Sequence, residues 1–374
     1  MSQDLVRLHL TNIAGLGAVQ LIKSLLPALE QNKPVRVVEV YLPNRGDLSS
    51  YQSADTSLKT TQYRRYLPNA LSRLAECTVL GRRFSGELPL LVMGDLPIRC
   101  NARQTVFVQT PHLVRPEKFS WRLAKLKLSL LRWVFRSNLE YAQAFIVQTS
   151  SMRDALIKSY PSLHSRVYVV AQPVPAWLLT AGLQRTGRTK APDAPLHLIY
   201  PAAGYPHKNH KLLATLHGNN PANWPIVHLD ITLDEKSNPA PNLAQLRCLG
   251  TLSASQMVNA YSTVDALLFL STDESYGFPL VEAMFVGLPI ICPDLPYARV
   301  LCGDEATYFD VDNADSLKDA VNELHRKLST GYWPDWSEQL RVIPKDWETV
   351  ARTMLDIAAQ PSAGATNELN ARKD

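Results

Sequence analysis

The chain has 374 residues, of which 46% are apolar and 20% charged, which is typical of a globular protein and long enough for two domains. Its formal net charge of +5 suits an anionic ligand or an anionic membrane surface and is too small to indicate nucleic-acid binding. The five cysteines are odd in number and lack metal-ligand spacing. This argues against a disulfide framework or a zinc site and favours a reducing cytoplasm.

The N-terminal half alternates short apolar runs with helical segments, a pattern that predicts a mostly parallel sheet with helices on both faces. No signal pattern opens the chain and no apolar run reaches membrane-spanning length, so we expect a cytoplasmic protein without an integral membrane segment. Gly15 and Gly17 follow the first strand, where a turn would approach a phosphate or a sugar, although a plain tight turn explains them equally well. The predicted strands are 6–10, 35–42, 89–93, 105–109, 145–147 and 167–170.

His112 follows the strand 105–109 directly, after Thr110 and Pro111. A histidine at the carboxyl end of a strand is well placed to meet a ligand in a doubly wound fold. The alternative is a loop histidine that bonds a neighbouring carbonyl.

Residues 115–136 predict a basic amphipathic helix in which Glu117 is the only acidic residue. Such a helix with tryptophan either lies on anionic lipid or packs its apolar face on the core and exposes its charges. The apolar face carries Phe119, Leu123, Leu126, Leu130 and Trp133. The basic flank carries Lys118, Arg122, Lys125, Arg132 and Arg136.

The composition becomes polar and rich in Gly, Pro and charge after Leu179, which predicts a linker at 181–194 between a domain 1–180 and a domain 195–345. Ser150 or Ser151 is expected to cap a helix at 152–159, and Ser253 one at 254–262. A helix is expected at 346–360 and a disordered tail at 361–374. The strands predicted for the second half are 196–200, 226–231, 247–250, 266–270, 290–291 and 308–310.

The stretch 266–291 combines a buried strand, a polar turn, a helix beginning near Pro279 and another strand. A helix N-terminus suits a phosphate, and Gly277 allows close approach of the backbone. Glu274 and Glu282, eight positions apart, are placed to point into the crevice at the carboxyl ends of the strands. Lys208 occupies the matching place after the strand 196–200, where an ammonium can neutralise a diphosphate. A surface loop with solvated glutamates is the alternative.

These motifs together resemble the retaining glycosyltransferases of family 4, also called glycosyl transferase group 1, most strongly over 196–308. Glu274-Ser-Tyr-Gly-Phe-Pro-Leu-Val-Glu282 matches the family's paired-glutamate motif, and Tyr205-Pro-His-Lys-Asn209 its lysine segment. Gly250 matches a glycine that precedes a helix, and Trp347 the tryptophan before the last helix.

The resemblance implies an α/β GT-B fold, in which two Rossmann-like doubly wound domains face one another across a cleft. The first domain would bind the acceptor and the second the nucleotide-sugar donor, with helix 346–360 crossing back to the first. Lys208 would bind the diphosphate, Glu274 the donor sugar and Glu282 the ribose hydroxyls. Backbone at Phe278, Pro279 and Leu280 would hold phosphate. His112 would contact the transferred sugar, and Gly17 matches the glycine of the first loop.

The implied function is retaining transfer of a hexose, with a mannose-like sugar expected, from a nucleotide-diphosphate sugar to a lipid-linked saccharide. Neither a metal nor another cofactor would be required. Bacterial surface polysaccharide synthesis at the inner face of the cytoplasmic membrane is the implied setting. Gly204 stands near the position where many family members carry an arginine. Lys208 would then neutralise the diphosphate without that second cation, and a nucleotide-sugar-binding protein without turnover is an alternative function. A nicotinamide-dependent oxidoreductase is a further alternative, although Gly15-Leu-Gly17 lacks the third glycine.

Overall fold

The computed structural model describes residues 4–13, 15–64, 69–114, 122–187, 190–191, 194–216 and 224–361. The predicted tail at 361–374 lies outside these residues from position 362 onward, as do the first residues of the basic segment, 115–121. The chain divides into two compact units. Unit 1 comprises Met1–Gln172 and Lys345–Asp374, and unit 2 comprises Pro173–Pro344.

The described strands and helices follow one another mostly in alternation. The strands are β1 (Asp4–His9), β2 (Val35–Pro43), β3 (Lys59–Tyr63), β4 (Leu90–Val92), β5 (Gln104–Phe107), β6 (Ala142–Val147), β7 (Val167–Val169), β8 (Leu196–Tyr200), β9 (Ile226–Ile231), β10 (Leu246–Cys248), β11 (Ala266–Leu268), β12 (Ile290–Pro293) and β13 (Thr307–Phe309). The helices are α1 (Leu16–Gln31), α2 (Asn69–Cys77), α3 (Arg122–Ser137), α4 (Ser150–Ser159), α5 (Ala176–Ala181), α6 (Lys211–Ala214), α7 (Ala254–Thr263), α8 (Phe278–Val286), α9 (Pro296–Cys302), α10 (Ala314–Ser329), α11 (Ser337–Arg341) and α12 (Trp347–Ala359).

Unit 1 contains a parallel sheet in the order β3-β2-β1-β4-β5-β6-β7. Every residue of the central strands β4 and β5 is buried, as in strands whose two faces are covered by helices. Helix α12 belongs to this unit and packs on α1 and β1. The sequence missed β3, because Lys59-Thr-Thr-Gln-Tyr63 has no apolar run and forms the edge of the sheet.

Unit 2 contains a second parallel sheet in the order β10-β9-β8-β11-β12-β13. Both sheets therefore repeat the doubly wound arrangement, with the strand order reversing beside the first strand of each unit. The predicted α/β class is confirmed.

The boundary between the units lies between Gln172 and Pro173, ahead of the predicted linker at 181–194. The described part of that polar segment belongs to unit 2. The Arg185 N–H donates to the Val286 carbonyl at 2.7 Å, and Gly187 lies against Trp333, where an added Cβ would come within 2.9 Å of its side chain.

Two helix caps were predicted, and one of the predictions was wrong. Ser253 caps α7 in a capping box with Gln256, as expected. Helix α4 is capped by Thr149 instead of Ser150 or Ser151, because the Thr149 hydroxyl accepts the Met152 N–H at 3.1 Å. The cap therefore precedes the predicted position by one residue.

Candidate functional site

The strand order of unit 2 reverses between β8 and β11. In an open parallel sheet the loops on either side of such a reversal diverge and leave a crevice for a ligand. The loop after β8 carries Lys208, and the loop after β11 carries Glu274. Two residues that are 66 positions apart in the sequence are thereby brought to the same edge of the sheet.

Lys208 and Glu274 form an ion pair, in which the ammonium of Lys208 donates to Oε1 of Glu274. Only 15% and 12% of the two side chains are exposed, so water screens the pair far less than it screens a surface ion pair. The structure thus joins two of the predicted site residues directly.

The backbone around Lys208 is fixed from two sides. The hydroxyl of Tyr200, a fully buried residue of β8, donates to the Lys208 carbonyl at 2.6 Å. Asn209 takes a left-handed conformation with φ of 55° and donates from Nδ2 to Oδ1 of Asp312 at 3.0 Å. A turn of the chain that carries a cation is therefore tied to the sheet and to the loop after β13.

Glu274 is positioned by Ser271, whose hydroxyl donates to Glu274 Oε1 at 2.5 Å. Ser271 is itself held by the Tyr297 hydroxyl, which donates to its carbonyl at 2.5 Å. The Thr272 N–H donates to the His207 carbonyl at 2.8 Å and so joins this loop to the lysine turn. Sequence reasoning missed Ser271, Tyr200 and Tyr297 as supports, because each acts through a partner that no local pattern identifies.

Gly277 sets the start of α8, the helix at the centre of the paired-glutamate motif. Its φ of 89° lies in the left-handed region, which glycine adopts without the strain that a side chain would cause. Pro279 has no N–H, and the Leu280 N–H donates to the Gly277 carbonyl at 2.9 Å. Of the three residues predicted to hold phosphate, Phe278 is therefore the one whose N–H suits that role.

Glu282 lies one turn inside α8 and is buried, with 8% of its surface exposed. The hydroxyl of Tyr261, a fully buried residue of α7, donates to Glu282 Oε2 at 2.7 Å. Burial raises the pKa of Glu282 to about 7, although the hydrogen bond from Tyr261 opposes the rise. The structure thus gives Glu282 a setting of its own, in contact with Tyr261, whereas Glu274 contacts Lys208 and Ser271.

Two further residues, Gly250 and His210, lie in unit 2 outside the Lys208–Glu274 pair and the Glu282–Tyr261 pair. Gly250 has a φ of 69°, and a Cβ there would lie 3.2 Å from Oδ1 of Asp234. Burial, helped by the charge of Lys208, lowers the pKa of His210 to about 4. His210 is therefore neutral near pH 7 and adds no positive charge beside Lys208.

The strand order of unit 1 reverses between β1 and β4; Gly17 follows β1, and His112 follows β5, the strand next to β4. His112 lies in the short turn Pro111–Leu113 after β5, and burial lowers its pKa. Asp95, in the loop after β4, holds the same loop by accepting the N–H groups of Gln109 at 2.6 Å and Thr110 at 3.0 Å.

The sequence predicted that Gly17 lies in the turn before α1. The structure places it inside the helix, as the second residue of α1. An added Cβ there would meet nothing within 4 Å. Gly17 therefore has no steric role in the protein by itself, and its predicted role depends on a ligand.

A buried polar cluster at the end of β1 was not predicted. Nε2 of His9 lies 2.7 Å from Oε1 of Glu76, and the Thr11 hydroxyl donates to the same carboxylate. His9 and Glu76 are fully buried. The cluster ties β1 to α2, and the wide separation of its members in sequence left no signal.

Within the part of the chain that the structure describes, no helix combines the length and apolarity needed to cross a membrane. The same residues contain no group of three or more His, Cys, Asp or Glu side chains that could hold a metal ion.

Residues 189–328, which contain the loops with Lys208 and Glu274 and all of α8, match the family described as Glycosyl transferases group 1. The segment 189–328 of this chain is a group 1 glycosyl transferase domain. The family and the resemblance of the motifs agree, and they make this protein a transferase enzyme.

Curated relatives of this chain share little identity with it. The O-antigen chain mannosyltransferase RfbU of Salmonella typhimurium is 20% identical over 253 residues, which are 63% of this chain and 67% of RfbU. The serotype-specific mannosyltransferase WbdA of Escherichia coli is 27% identical over 129 residues. That alignment takes in 32% of this chain and only 16% of WbdA.

Solved structures similar to this protein cover nearly all of the chain. Sucrose-phosphate synthase from Thermosynechococcus elongatus has a TM-score of 0.59 at 12% identity, over 100% of this chain and 98% of that one. HepE from Anabaena, in complex with UDP and glucose, has a TM-score of 0.58 at 12% identity over 96% and 100%. WaaG, a glycosyltransferase involved in lipopolysaccharide biosynthesis, has a TM-score of 0.54 at 12% identity over 94% and 95%. These likenesses establish the GT-B fold.

Proposed function

We propose that this glycosyl transferase moves a hexose from a nucleotide-diphosphate sugar to a saccharide acceptor, with retention of the anomeric configuration, in the synthesis of a bacterial surface polysaccharide. The relatives named for O-antigen and serotype-specific mannosyl transfer support this class of product and favour a mannose-like hexose. The HepE structure, which holds UDP and glucose, supports a nucleotide-sugar donor.

The observation that carries the proposal is the Lys208–Glu274 pair at the strand reversal of unit 2. A largely buried cation beside a carboxylate suits a ligand that is anionic at one end and rich in hydroxyl groups at the other. A nucleotide-diphosphate sugar has this composition. Lys208 would bind the diphosphate, and Glu274 would accept hydrogen bonds from the hydroxyls of the donor sugar.

Breaking the bond between the sugar and the diphosphate leaves negative charge on the β-phosphate and positive character on the sugar ring. Lys208 and the N-terminus of α8 beside Phe278 would stabilise the phosphate charge as it develops. Because that charge is balanced by the chain's own groups, the proposed reaction needs no metal and no other cofactor. Glu282 would accept hydrogen bonds from the ribose hydroxyls through a carboxylate that Tyr261 holds in place.

Unit 1 is proposed to bind the acceptor, a saccharide that we propose to be lipid-linked, with His112 contacting the transferred sugar and Gly17 leaving room for a ligand. The support is the position of both residues near the strand reversal of that unit. The Asp95 carboxylate, which accepts two N–H groups of the His112 loop, would keep the histidine in position.

A second candidate is a nucleotide-sugar-binding protein that has this fold and little turnover. Gly204 favours it, because many group 1 enzymes carry an arginine near this position and the chain has one cation fewer there. Binding would then persist while transfer is absent.

The experiment that separates the two candidates follows the labelled hexose of each nucleotide sugar during incubation with and without a polysaccharide acceptor fraction. Transfer to the acceptor, or slow release of free sugar from the donor, supports the enzyme. Donor binding with neither product supports the binding protein. The Lys208→Ala variant should slow the formation of either product by about 100-fold or more, whereas Lys211→Ala, which changes an exposed lysine three positions further on, should leave it unchanged.

A further inference from the structure

Helix α3 exposes an apolar stripe that no described part of unit 1 covers. Leu126, Leu130 and Trp133 are 68%, 43% and 57% exposed. Their spacing of four and three positions places them on one face of the helix. Large apolar side chains that are exposed in a contiguous row mark a contact surface more often than scattered ones do.

The core of unit 1 is formed by a different face of α3. Val134 and Phe135 are buried, and the Phe135 ring packs against Phe145 at 5.6 Å and Tyr160 at 5.0 Å between centroids. The sequence had left open whether the stripe of Leu126, Leu130 and Trp133 faces the core or a partner. The structure excludes the core for these three residues.

Basic side chains border the stripe. Lys127 and Arg136 are exposed, and the helical repeat places them on opposite sides of it. Arg132 has a separate task, because its Nε donates to the His112 carbonyl at 2.8 Å and so joins α3 to the loop that carries His112. The segment 115–136 contains Glu117 as its single acidic residue.

We propose that α3 docks unit 1 on an anionic lipid surface, with Leu126, Leu130 and Trp133 entering the headgroup region and Lys127 and Arg136 pairing with lipid phosphates. Basic amphipathic helices of this kind lie in the plane of the interface, where tryptophan is also favoured. The inference is independent of the proposed transfer reaction. If both hold, the bond from Arg132 places the His112 loop beside the membrane from which a lipid-linked acceptor would arrive.

The charges favour lipid over the other possible occupants of the stripe. A second copy of the chain docked through the same face would place Lys127 and Arg136 against the same basic groups of its partner, and like charges repel. A nucleic acid would pair with the charges but would leave the row of two leucines and a tryptophan without an apolar partner. An anionic bilayer satisfies both the apolar and the basic residues.

Co-sedimentation with unilamellar vesicles tests the docking surface on the full chain, without donor or acceptor. One vesicle type is phosphatidylcholine alone, and the other is an equimolar mixture with phosphatidylglycerol. We expect binding to the anionic vesicles, little binding to the neutral ones, and loss of binding as salt is raised.

Two variants and two matched controls locate the surface. Leu126→Ser with Leu130→Ser and Trp133→Ser should weaken binding at least tenfold, and Lys127→Gln with Arg136→Gln should weaken it by about tenfold or more, since each basic residue near an anionic surface contributes on the order of 1 kcal/mol. The controls remove equally exposed groups elsewhere. They are Val227→Ser with Val300→Ser and Val342→Ser, and Lys236→Gln with Arg352→Gln, and both should bind like the unmodified chain.

Three outcomes would overturn the inference: no binding to anionic vesicles, equal binding by the α3 variants, or a stripe-dependent dimer in place of vesicle binding. Circular dichroism and thermal melting establish that each variant is folded. Failure of the proposed transfer reaction is distinguishable, because Lys208→Ala should lose donor binding and keep vesicle binding. The α3 variants should do the opposite.

Discussion

The ammonium of Lys208 donates to Oε1 of Glu274 across the strand reversal of unit 2, and Ser271 donates to the same carboxylate oxygen. The cation is therefore balanced by a carboxylate in a largely buried setting. A diphosphate entering beside Lys208 would take over part of that balance and free Glu274 to accept bonds from sugar hydroxyls. The two residues thus act as one unit, and changing either should affect both binding and turnover.

Replacing Lys208 or Glu274 with alanine should lower the rate of sugar transfer by about 100- to 1000-fold, the typical loss on removing one preorganised electrostatic group. Initial rates at one fixed donor concentration, the same for all variants, measure this effect. Because each variant leaves a partly buried charge without its partner, the double variant should be less destabilised than the sum of the single variants. Turnover close to that of Lys211→Ala in both single variants would contradict the assignment.

Substitution of two glycines should separate backbone strain from contact with a ligand. Gly277→Ala forces an alanine into a left-handed conformation at the start of α8 and should cost about 1–2 kcal/mol of unfolding free energy. Gly17→Ala meets nothing within 4 Å and should raise the unfolding free energy by up to about 1 kcal/mol, because alanine favours a helix over the unfolded chain more than glycine does. Urea unfolding measures both. If Gly17→Ala lowers transfer without lowering stability, a ligand passes close to that position, and full activity would remove Gly17 from the site.

The stability of the protein should fall as pH rises from about 4.5 to about 7, because Glu282 has a pKa of about 7 in the folded state against 4.5 when unfolded. In that window the folded state holds a proton that the unfolded state has lost, so each rise in pH favours unfolding. Replacement by glutamine removes this dependence and should stabilise the protein by up to about 3 kcal/mol above pH 7. The difference should shrink towards pH 5. If the difference in unfolding free energy between the two proteins were the same at every pH, the prediction would be contradicted.

Tyr261→Phe should shift the pH dependence of donor binding to higher pH. The Tyr261 hydroxyl stabilises the ionised form of Glu282, so its loss raises the pKa of a carboxylate that must be ionised to accept ribose hydroxyls well. At pH 7 we expect a higher KM for the donor with kcat nearly retained. A pH profile of KM measures the shift. An unmoved profile with a general loss of stability would make Tyr261 a packing residue only.

Many strands of the fold could be predicted from the sequence, because buried parallel strands are mostly continuous apolar runs. The strands that lie at 196–200 and 226–231 were predicted with their observed bounds. The edge strand β3 was not predicted, because it pairs with a neighbour on one side only and its residues are mostly polar. The loops of the site were predictable for a related reason: Lys208 and Glu274 follow strands, and the carboxyl ends of parallel strands meet at one edge.

The partners of the site residues could not be predicted. Tyr261 lies 21 positions before Glu282, on a different helix, and its ring is buried like that of an ordinary core residue. Its hydroxyl acquires a role only when α7 packs beside α8. The cap of α4 could not be predicted for a similar reason. Three consecutive residues there carry a hydroxyl group, and only the backbone conformation shows that Thr149 is the one that caps the helix.

Nucleotide-sugar binding by Lys208 and Glu282 is the central claim, and thermal melting with UDP, GDP, ADP and dTDP sugars tests it most directly. A ligand that binds only the folded protein raises its melting temperature in proportion to RT ln(1 + [L]/Kd). We predict that the sugars of one nucleotide raise the melting temperature of the unmodified chain and of Lys211→Ala, and that the increase is lost in Lys208→Ala and reduced in Glu282→Gln. An increase of equal size in all four proteins, or none with any nucleotide sugar, would contradict the account.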